Sequence, residues 1–280
     1  MISRRRSTRT AMPVAGKVFV VTGAGNGIGK QVALELVAQG ATVAAVDINA
    51  AGLQRTADSA SSRLTTHVLD IADGRAVAAF PREVLDAHGV VDGLFNIAGI
   101  AQPVETTLDV TPERIDQLMT VNFRGTVAMT QAFLPHLLAR PDGGRIMLTS
   151  SLSAIVPVPG AAVYGASKAA VAYFGFGLAQ DLRRLSPAVT ATTVIPGTIW
   201  TDIVRGSAES MGIPVGVAKA FAMSPEKAAK KMIRVTMKGR ASSVIGKDAH
   251  VYRALGRVSS PLADRVSYLQ VGSFAYRTKV

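Results

Sequence analysis

Thr22-Gly23-Ala24-Gly25-Asn26-Gly27-Ile28-Gly29 decides how this chain is read. Before it runs Lys17–Thr22, apolar and β-branched, with the composition of a buried parallel strand. After it, Ile28, Val32, Ala33 and Leu36 recur at helical spacing over Gly27–Gln39, and Gly40 supplies a C-terminal stop. Glycines between a strand and a helix let the backbone approach a pyrophosphate, whose charge the helix N-terminus stabilises. The spacing of Gly23, Gly27 and Gly29 is Gly-x-x-x-Gly-x-Gly rather than the commoner Gly-x-Gly-x-x-Gly. No Gly-Lys-Ser/Thr follows, which excludes a Walker phosphate loop. For the loop taken alone, a glycine-rich turn without a ligand is the plain alternative.

Outward from the loop, strands and helices alternate. Further strands are expected at Thr42–Asp47, Thr66–Leu69, Val91–Phe95, Arg145–Ser150, Val189–Ile195 and Ser242–Ile245. Helices are expected at Asp73–Ala87, Thr111–Leu138, Val163–Leu185 and Ser224–Lys238, the second opened by the Thr111-Pro112-Glu113 cap. Repeated β-α-β units predict one α/β domain: a Rossmann-like doubly wound parallel sheet of about seven strands, helices on both faces and right-handed crossovers. Residues 1–11 read as a basic N-terminal arm, and 12–248 as the domain, with a substrate loop near 202–223. Residues 249–280 form a basic C-terminal extension, with a helix near Ala249–Val258 and a turn at Ser259-Ser260-Pro261.

Composition narrows the classes. The 280 residues are 48% hydrophobic and 18% charged, which supplies a core and excludes a disordered chain. The absence of cysteine excludes a disulfide scaffold, a thiol nucleophile and a thiolate metal site; no metal is expected. It also fits a reducing cytosol, so a cytoplasmic location is expected. No apolar run has the length of a membrane helix. The arginines Arg4, Arg5, Arg6 and Arg9 precede too short an apolar stretch for a signal peptide. The net charge of +12 is concentrated at both ends, in that arm and in residues 224–280. A basic tail on a neutral body suggests an acidic carrier or a membrane surface as partner, with a solvated basic surface as the plain alternative. At 5% aromatic content the stacking pattern of a single-strand nucleic-acid binder is missing.

Four ionisable groups point to chemistry. Asp47 ends the second strand, where an acid accepts both ribose hydroxyls of an adenosine and repels a 2′-phosphate. No Lys or Arg stands at 48–50 or at 26, which favours NAD over NADP. Asp70, beside Ile71, ends the third strand, either as an adenine partner or as a helix-capping acid. Tyr164 and Lys168 are four apart and share a helix face. A nearby ammonium favours phenolate, and lowering a phenol by roughly three units takes about 4 kcal/mol. That makes Tyr164 a proton donor or acceptor for an alcohol or ketone. Ser151 ends the fifth strand, where parallel sheets present ligand groups, and Asn122 lies in Val121–Gly125. In isolation, Tyr-x-x-x-Lys is a common surface pair.

In chain order the quoted loop, Asp70-Ile71, Asn96-Ile97-Ala98-Gly99, Asn122, Ser150-Ser151, Tyr164-Gly165-Ala166-Ser167-Lys168 and Pro196-Gly197-Thr198-Ile199-Trp200-Thr201 together resemble the short-chain dehydrogenase/reductase family. The resemblance runs from Lys17 to about Gly246. It implies strand order 3-2-1-4-5-6-7 and reversible hydride transfer between a nicotinamide and a CH–OH group or its ketone. It implies a tetrad of Asn122, Ser151, Tyr164 and Lys168. In that tetrad Tyr164 is the general acid/base and Ser151 bonds the reacting oxygen. Lys168 lowers the phenol and holds the nicotinamide ribose, while Asn122 positions a water linking Lys168 to solvent. The implied cofactor contacts are Gly23, Asn26, Gly27, Ile28, Gly29, Asp47, Ile48, Asp70, Ile71, Asn96, Ala98, Gly99, Tyr164, Lys168, Pro196, Gly197, Ile199 and Thr201. The implied substrate contacts are Ser151, Ser153 and Tyr164. Ile97 departs from the family's Asn-Asn-Ala-Gly; the change bears on a local hydrogen bond and leaves the chemistry untouched.

The segments beside Ser151 and Tyr164 are rich in aliphatics and Met, which favours a nonpolar secondary alcohol or ketone; Arg205 is the candidate for a substrate carboxylate. A homodimer or homotetramer is expected through Thr111–Leu138 and Val163–Leu185. The rival readings are a catalytically silent protein that senses NAD redox state, and a basic surface protein docking acidic partners.

Overall fold

Alternating side chains of the central strands face two helical layers, which sandwich a single sheet. The computed structural model describes residues 11–60, 62–210 and 212–269. The strands are β1 (Val18–Thr22), β2 (Thr42–Asp47), β3 (Leu64–Val68), β4 (Gly93–Asn96), β5 (Arg145–Thr149), β6 (Thr190–Pro196) and β7 (Ser242–Ile245). All pair in parallel, in the order β3-β2-β1-β4-β5-β6-β7. The helices are α1 (Gly27–Ala38), α2 (Ala50–Asp58), α3 (Gly74–His88), α4 (Pro112–Leu118), α5 (Thr126–Leu138), α6 (Ala162–Leu185), α7 (Asp202–Ser210), α8 (Val215–Phe221), α9 (Pro225–Met237), α10 (Lys247–Val258) and α11 (Ser260–Ser267). This is the doubly wound Rossmann-like architecture, and the order reverses between β1 and β4.

Along β1, Phe19 and Val21 pack with α1 and α9, whereas Val20 packs on the opposite face with Leu94, Ile146 and Leu148 and with α3, α5 and α6. The two-residue period of a strand therefore divides the core into its halves. Phe19 and Phe95 meet edge to face, 5.6 Å apart.

Local signals start and stop the helices. Asn26 caps α1, its Oδ1 accepting from Gly27 N–H at 2.7 Å. Asp73 caps α3, accepting from the N–H groups of Arg75 and Ala76. The segment expected as one helix over 111–138 is divided by a π-helical turn, Met119–Gly125. Apolar periodicity persists across that turn, so the interruption leaves no mark on the pattern. α2 was not anticipated; Thr56 holds it in place, donating to Ala24 O at 2.9 Å. The segment expected as a substrate loop contains α7 and α8, and the turn expected at 259–261 is confined to Ser259, because α11 already begins at Ser260. Residues 1–10 and 270–280 lie outside the described residues, so the basic arm and the end of the extension are not placed. No described helix is long and apolar enough to cross a membrane.

Candidate active site

The ends of the parallel strands bring the expected residues together. The quoted glycine turn leaves β1 and folds against the end of β4. Gly23 takes φ +70°, and a Cβ there would meet Ala98 backbone atoms at 2.9 Å. Only glycine permits both. Thr22 ties the two segments, its Oγ1 accepting from the N–H groups of Ile97 and Ala98 at 3.0 and 3.1 Å. The turn therefore holds by backbone bonds where the family's second Asn is replaced by Ile97. Asn96 is buried and donates to Thr130 Oγ1 at 3.1 Å, while its own Oδ1 has no partner among the described residues.

At the end of β2, Asp47 accepts from Gly25 N–H and Asn49 N–H, both at 2.9 Å. Ile48 beside it is 66% exposed. Asp70 accepts from Ala72 N–H at 2.8 Å, so it makes a turn at the entry to α3 and is exposed. Ile71 is buried against Gly125. Across the mouth, Asn26 Nδ2 donates to Asp202 Oδ2 at 2.8 Å, linking the glycine turn to α7.

Ser151 follows β5, and Tyr164 and Lys168 project from α6. The Ser151 and Ser153 hydroxyls are 2.7 Å apart, beside the Tyr164 phenol, whose ionised form Ser151 favours. Lys168 donates to Thr149 O at 3.2 Å and lies 5.9 Å from the Tyr164 ring centroid. Burial pushes the Lys168 ammonium down to about 8. Removal from water also pushes the phenol up, and the Ser151 hydrogen bond opposes that rise. The lowered phenol expected from the sequence is thus not present in the protein alone. The reason is desolvation, which burial imposes on the phenolate and which the Ser151 contact offsets only in part.

Asn122 is fully buried within the π-helical turn. Its Oδ1 accepts from Ile100 N–H at 2.8 Å, and its Nδ2 donates to Ile100 O and to Ser167 Oγ at 3.0 Å each. Both amide protons are thereby used in pinning the loop after β4 to α6.

These groups face one cavity of about 290 Å³ lined by Ser151, Ser153, Tyr164, Lys168 and the Pro196–Ile199 turn, with Thr201 at its edge. Val104, Leu152, Val158, Ile203 and Val204 make much of its wall. Arg205 is ion-paired with Asp202 at 2.7 Å and does not line the cavity. Sequence reasoning missed Gln102, whose Oε1 accepts from Tyr164 N–H at 3.0 Å and fixes the first turn of α6. It also missed Ser267, which donates to Pro157 O at 2.7 Å from α11. Neither has a local signal, because each partner is more than sixty positions away. Among the described residues no cluster of His, Cys, Asp or Glu could hold a metal.

The glycine turn, the acid at the end of β2 and the cavity behind them fit an NAD(P) dinucleotide. The fold and this site define a short-chain dehydrogenase: a family model of that description matches residues 17–212, and the chain belongs to the family. The protein is thus an NAD(P)-dependent oxidoreductase of the short-chain type.

Among individual proteins, SadH of Mycobacterium tuberculosis, named as an oxidoreductase, is 34% identical over 268 residues, covering 92% of this chain and 96% of SadH. Dehydrogenase/reductase SDR family member 6 of Rattus norvegicus is 35% identical over 206 residues, 74% of this chain and 80% of the rat protein. The 3-ketoacyl-(acyl-carrier-protein) reductase of Brucella melitensis, solved with NADH, superposes with a TM-score of 0.73 at 26% identity, over 83% of this chain and 96% of that one. A short chain dehydrogenase of Mycobacterium paratuberculosis, solved with NAD, shares the fold with a TM-score of 0.75 at 24% identity, over 86% of this chain and all of that one.

Proposed function

We propose that the protein moves a hydride reversibly between NAD and a mainly nonpolar secondary alcohol or ketone. One observation carries this reading: the Ser151 and Tyr164 side chains both line an otherwise largely aliphatic cavity, with Lys168 buried behind them. Ser151 and Tyr164 both present O–H groups to a carbonyl oxygen bound there. In the reductive direction Tyr164 gives its proton to the oxygen as negative charge develops on it, and Ser151 stabilises that charge by hydrogen bonding. In the oxidative direction the phenolate takes the alcohol proton. A nicotinamide held there would supply or accept the hydride, and its oxidised form would carry a positive charge that favours phenolate. Lys168 holds the nicotinamide ribose, and its lowered pKa lets it pass a proton near neutral pH. Asn122 keeps the loop after β4 in register with α6; a water near Lys168 would share its main-chain oxygen with the Thr126 hydroxyl, which donates to it at 2.8 Å.

Asp47 favours NAD, since a carboxylate at the end of β2 repels a 2′-phosphate. The remaining contacts are the glycine turn with Asn26, Asp70 and Ile71 toward the adenine, Asn96, Ala98 and Gly99 along the ribose, and Pro196, Gly197, Ile199 and Thr201 toward the carboxamide. The test is turnover of a panel of secondary alcohols with NAD and with NADP, read as reduced nicotinamide absorbance. Activity with NAD at least tenfold above NADP, and a gap narrowed by Asp47→Ala, is expected. No turnover of any alcohol or ketone, with NAD still bound, would favour the silent redox sensor.

A further inference from the structure

The turn after β6 is held from outside the region that the family model matches. Thr198 N–H donates to Asp248 Oδ2 at 2.6 Å, and Asp248 lies in the first turn of α10. That distance is short for a hydrogen bond to a carboxylate, which are among the strong ones. Gly197 lies so close to the same carboxylate that a Cβ there would overlap its atoms. Gly246, at φ +118°, flanks Asp248 from the exit of β7. Two glycines on neighbouring strand ends thus make a slot for one carboxylate. The other side of the turn is tied as well: Gly197 N–H donates to Ile245 O at 2.7 Å, and Thr198 O accepts from Met223 N–H at 2.9 Å. With its N–H fixed by Asp248 and its C=O fixed by Met223, the Thr198 residue has little freedom left. The next residues are Ile199 and Thr201, at the cavity wall.

We propose that Asp248 is a positioning residue for the nicotinamide half of the cofactor. From the start of α10 it sets the Gly197–Thr198 peptide plane, and through it the Ile199 backbone and Thr201. The inference rests on the dinucleotide reading above. It assigns a residue of the C-terminal segment to the cofactor site, whereas the glycine turn and Asp47 serve the other half.

ADP-ribose separates the two halves, because it carries the pyrophosphate and adenosine but no nicotinamide. Titration calorimetry of wild type and Asp248→Ala with NAD and with ADP-ribose is the experiment. NAD affinity is expected to fall more than tenfold while ADP-ribose affinity stays within twofold. Equal losses for both ligands would mean a general structural role and overturn the proposal, as would unchanged NAD affinity. Where Asp248→Ala fails to fold, Asp248→Asn is read instead. It keeps an acceptor for Thr198 N–H but loses the charge, so a three- to tenfold loss confined to NAD is expected and the same two results overturn the proposal. Wild type binding neither ligand would instead refute the dinucleotide reading itself.

Discussion

Tyr164 and Lys168 occupy one face of α6, as a four-residue spacing requires, yet their protonation depends on what surrounds them. Replacing Tyr164 by Phe keeps the ring and removes the proton carrier. Turnover is expected to fall at least a thousandfold while NAD affinity, measured by titration calorimetry, stays within about twofold. Retained activity would sink the acid/base role. Lys168 gives a prediction in pH. Its ammonium is held down to about 8 in the folded chain against a reference of 10.5. Between those values the unfolded chain keeps a proton that the folded chain has lost, so stability rises with pH across that window. Below about 8 both states are charged and the burial penalty is felt in full. Relative to Lys168→Met, the wild type is expected to gain about 2 to 3 kcal/mol between pH 7 and pH 10, read by urea unfolding. A constant difference would show that Lys168 is not desolvated.

Among the elements, α11 is one that composition gave no reason to expect. It follows the turn at Ser259, whose Oγ accepts from Leu262 N–H at 3.3 Å, and it buries Ala263 and Ser267. Ser267 donates to Pro157 O, so α11 steadies the segment that carries Val158 at the cavity wall. Ser267→Ala leaves the Pro157 carbonyl without its partner, at a cost of about 1 to 3 kcal/mol. The expected outcome is a lower unfolding midpoint and a raised KM for the alcohol, with KM for NAD unchanged. An unchanged midpoint would show that water replaces the bond. The π-helical turn at Met119–Gly125 is a second feature of this scale. It widens the helix by a residue where Asn122 must turn inward, and such turns gather at functional sites.

For the molecule as a whole, α6 separates core from surface. Val171 and Leu178 are buried in the monomer. Tyr173 and Leu185, 83% and 62% exposed, and the partly exposed Phe176 are left without cover. Tyr173 and Phe176, three apart, share one helix face, and exposed apolar side chains there are costly in water and suit a subunit contact. A dimer or tetramer is therefore expected by light scattering at micromolar concentration, and Tyr173→Asp with Phe176→Asp should shift it to monomer. A monomeric wild type would count against the contact. The basic residues of α9 are sorted in the same way: Lys230 approaches Glu35 of α1 at 3.9 Å, while Lys227, Lys231, Arg234 and Lys238 face solvent.

The alternation of strands and helices, the glycine turn and the Tyr164–Lys168 pair were legible in the sequence because each rests on short-range rules: a period of two in strands, 3.6 in helices, and glycine where the backbone must approach another chain segment; the strand order was implied by the family resemblance. Those rules placed β2 and β7 at their observed limits and most other elements within one or two residues. The family pattern carried Asn122 and Ser151 to the same site, but it could not supply their partners. What only the tertiary structure decided is set by contacts between distant positions. Examples are the bond of Asp248 to Thr198, of Gln102 to Tyr164 and of Asn122 to Ile100 and Ser167. The ionisation of Tyr164 and Lys168 belongs here too, since desolvation depends on the whole packed surrounding and not on the spacing of two residues along a helix.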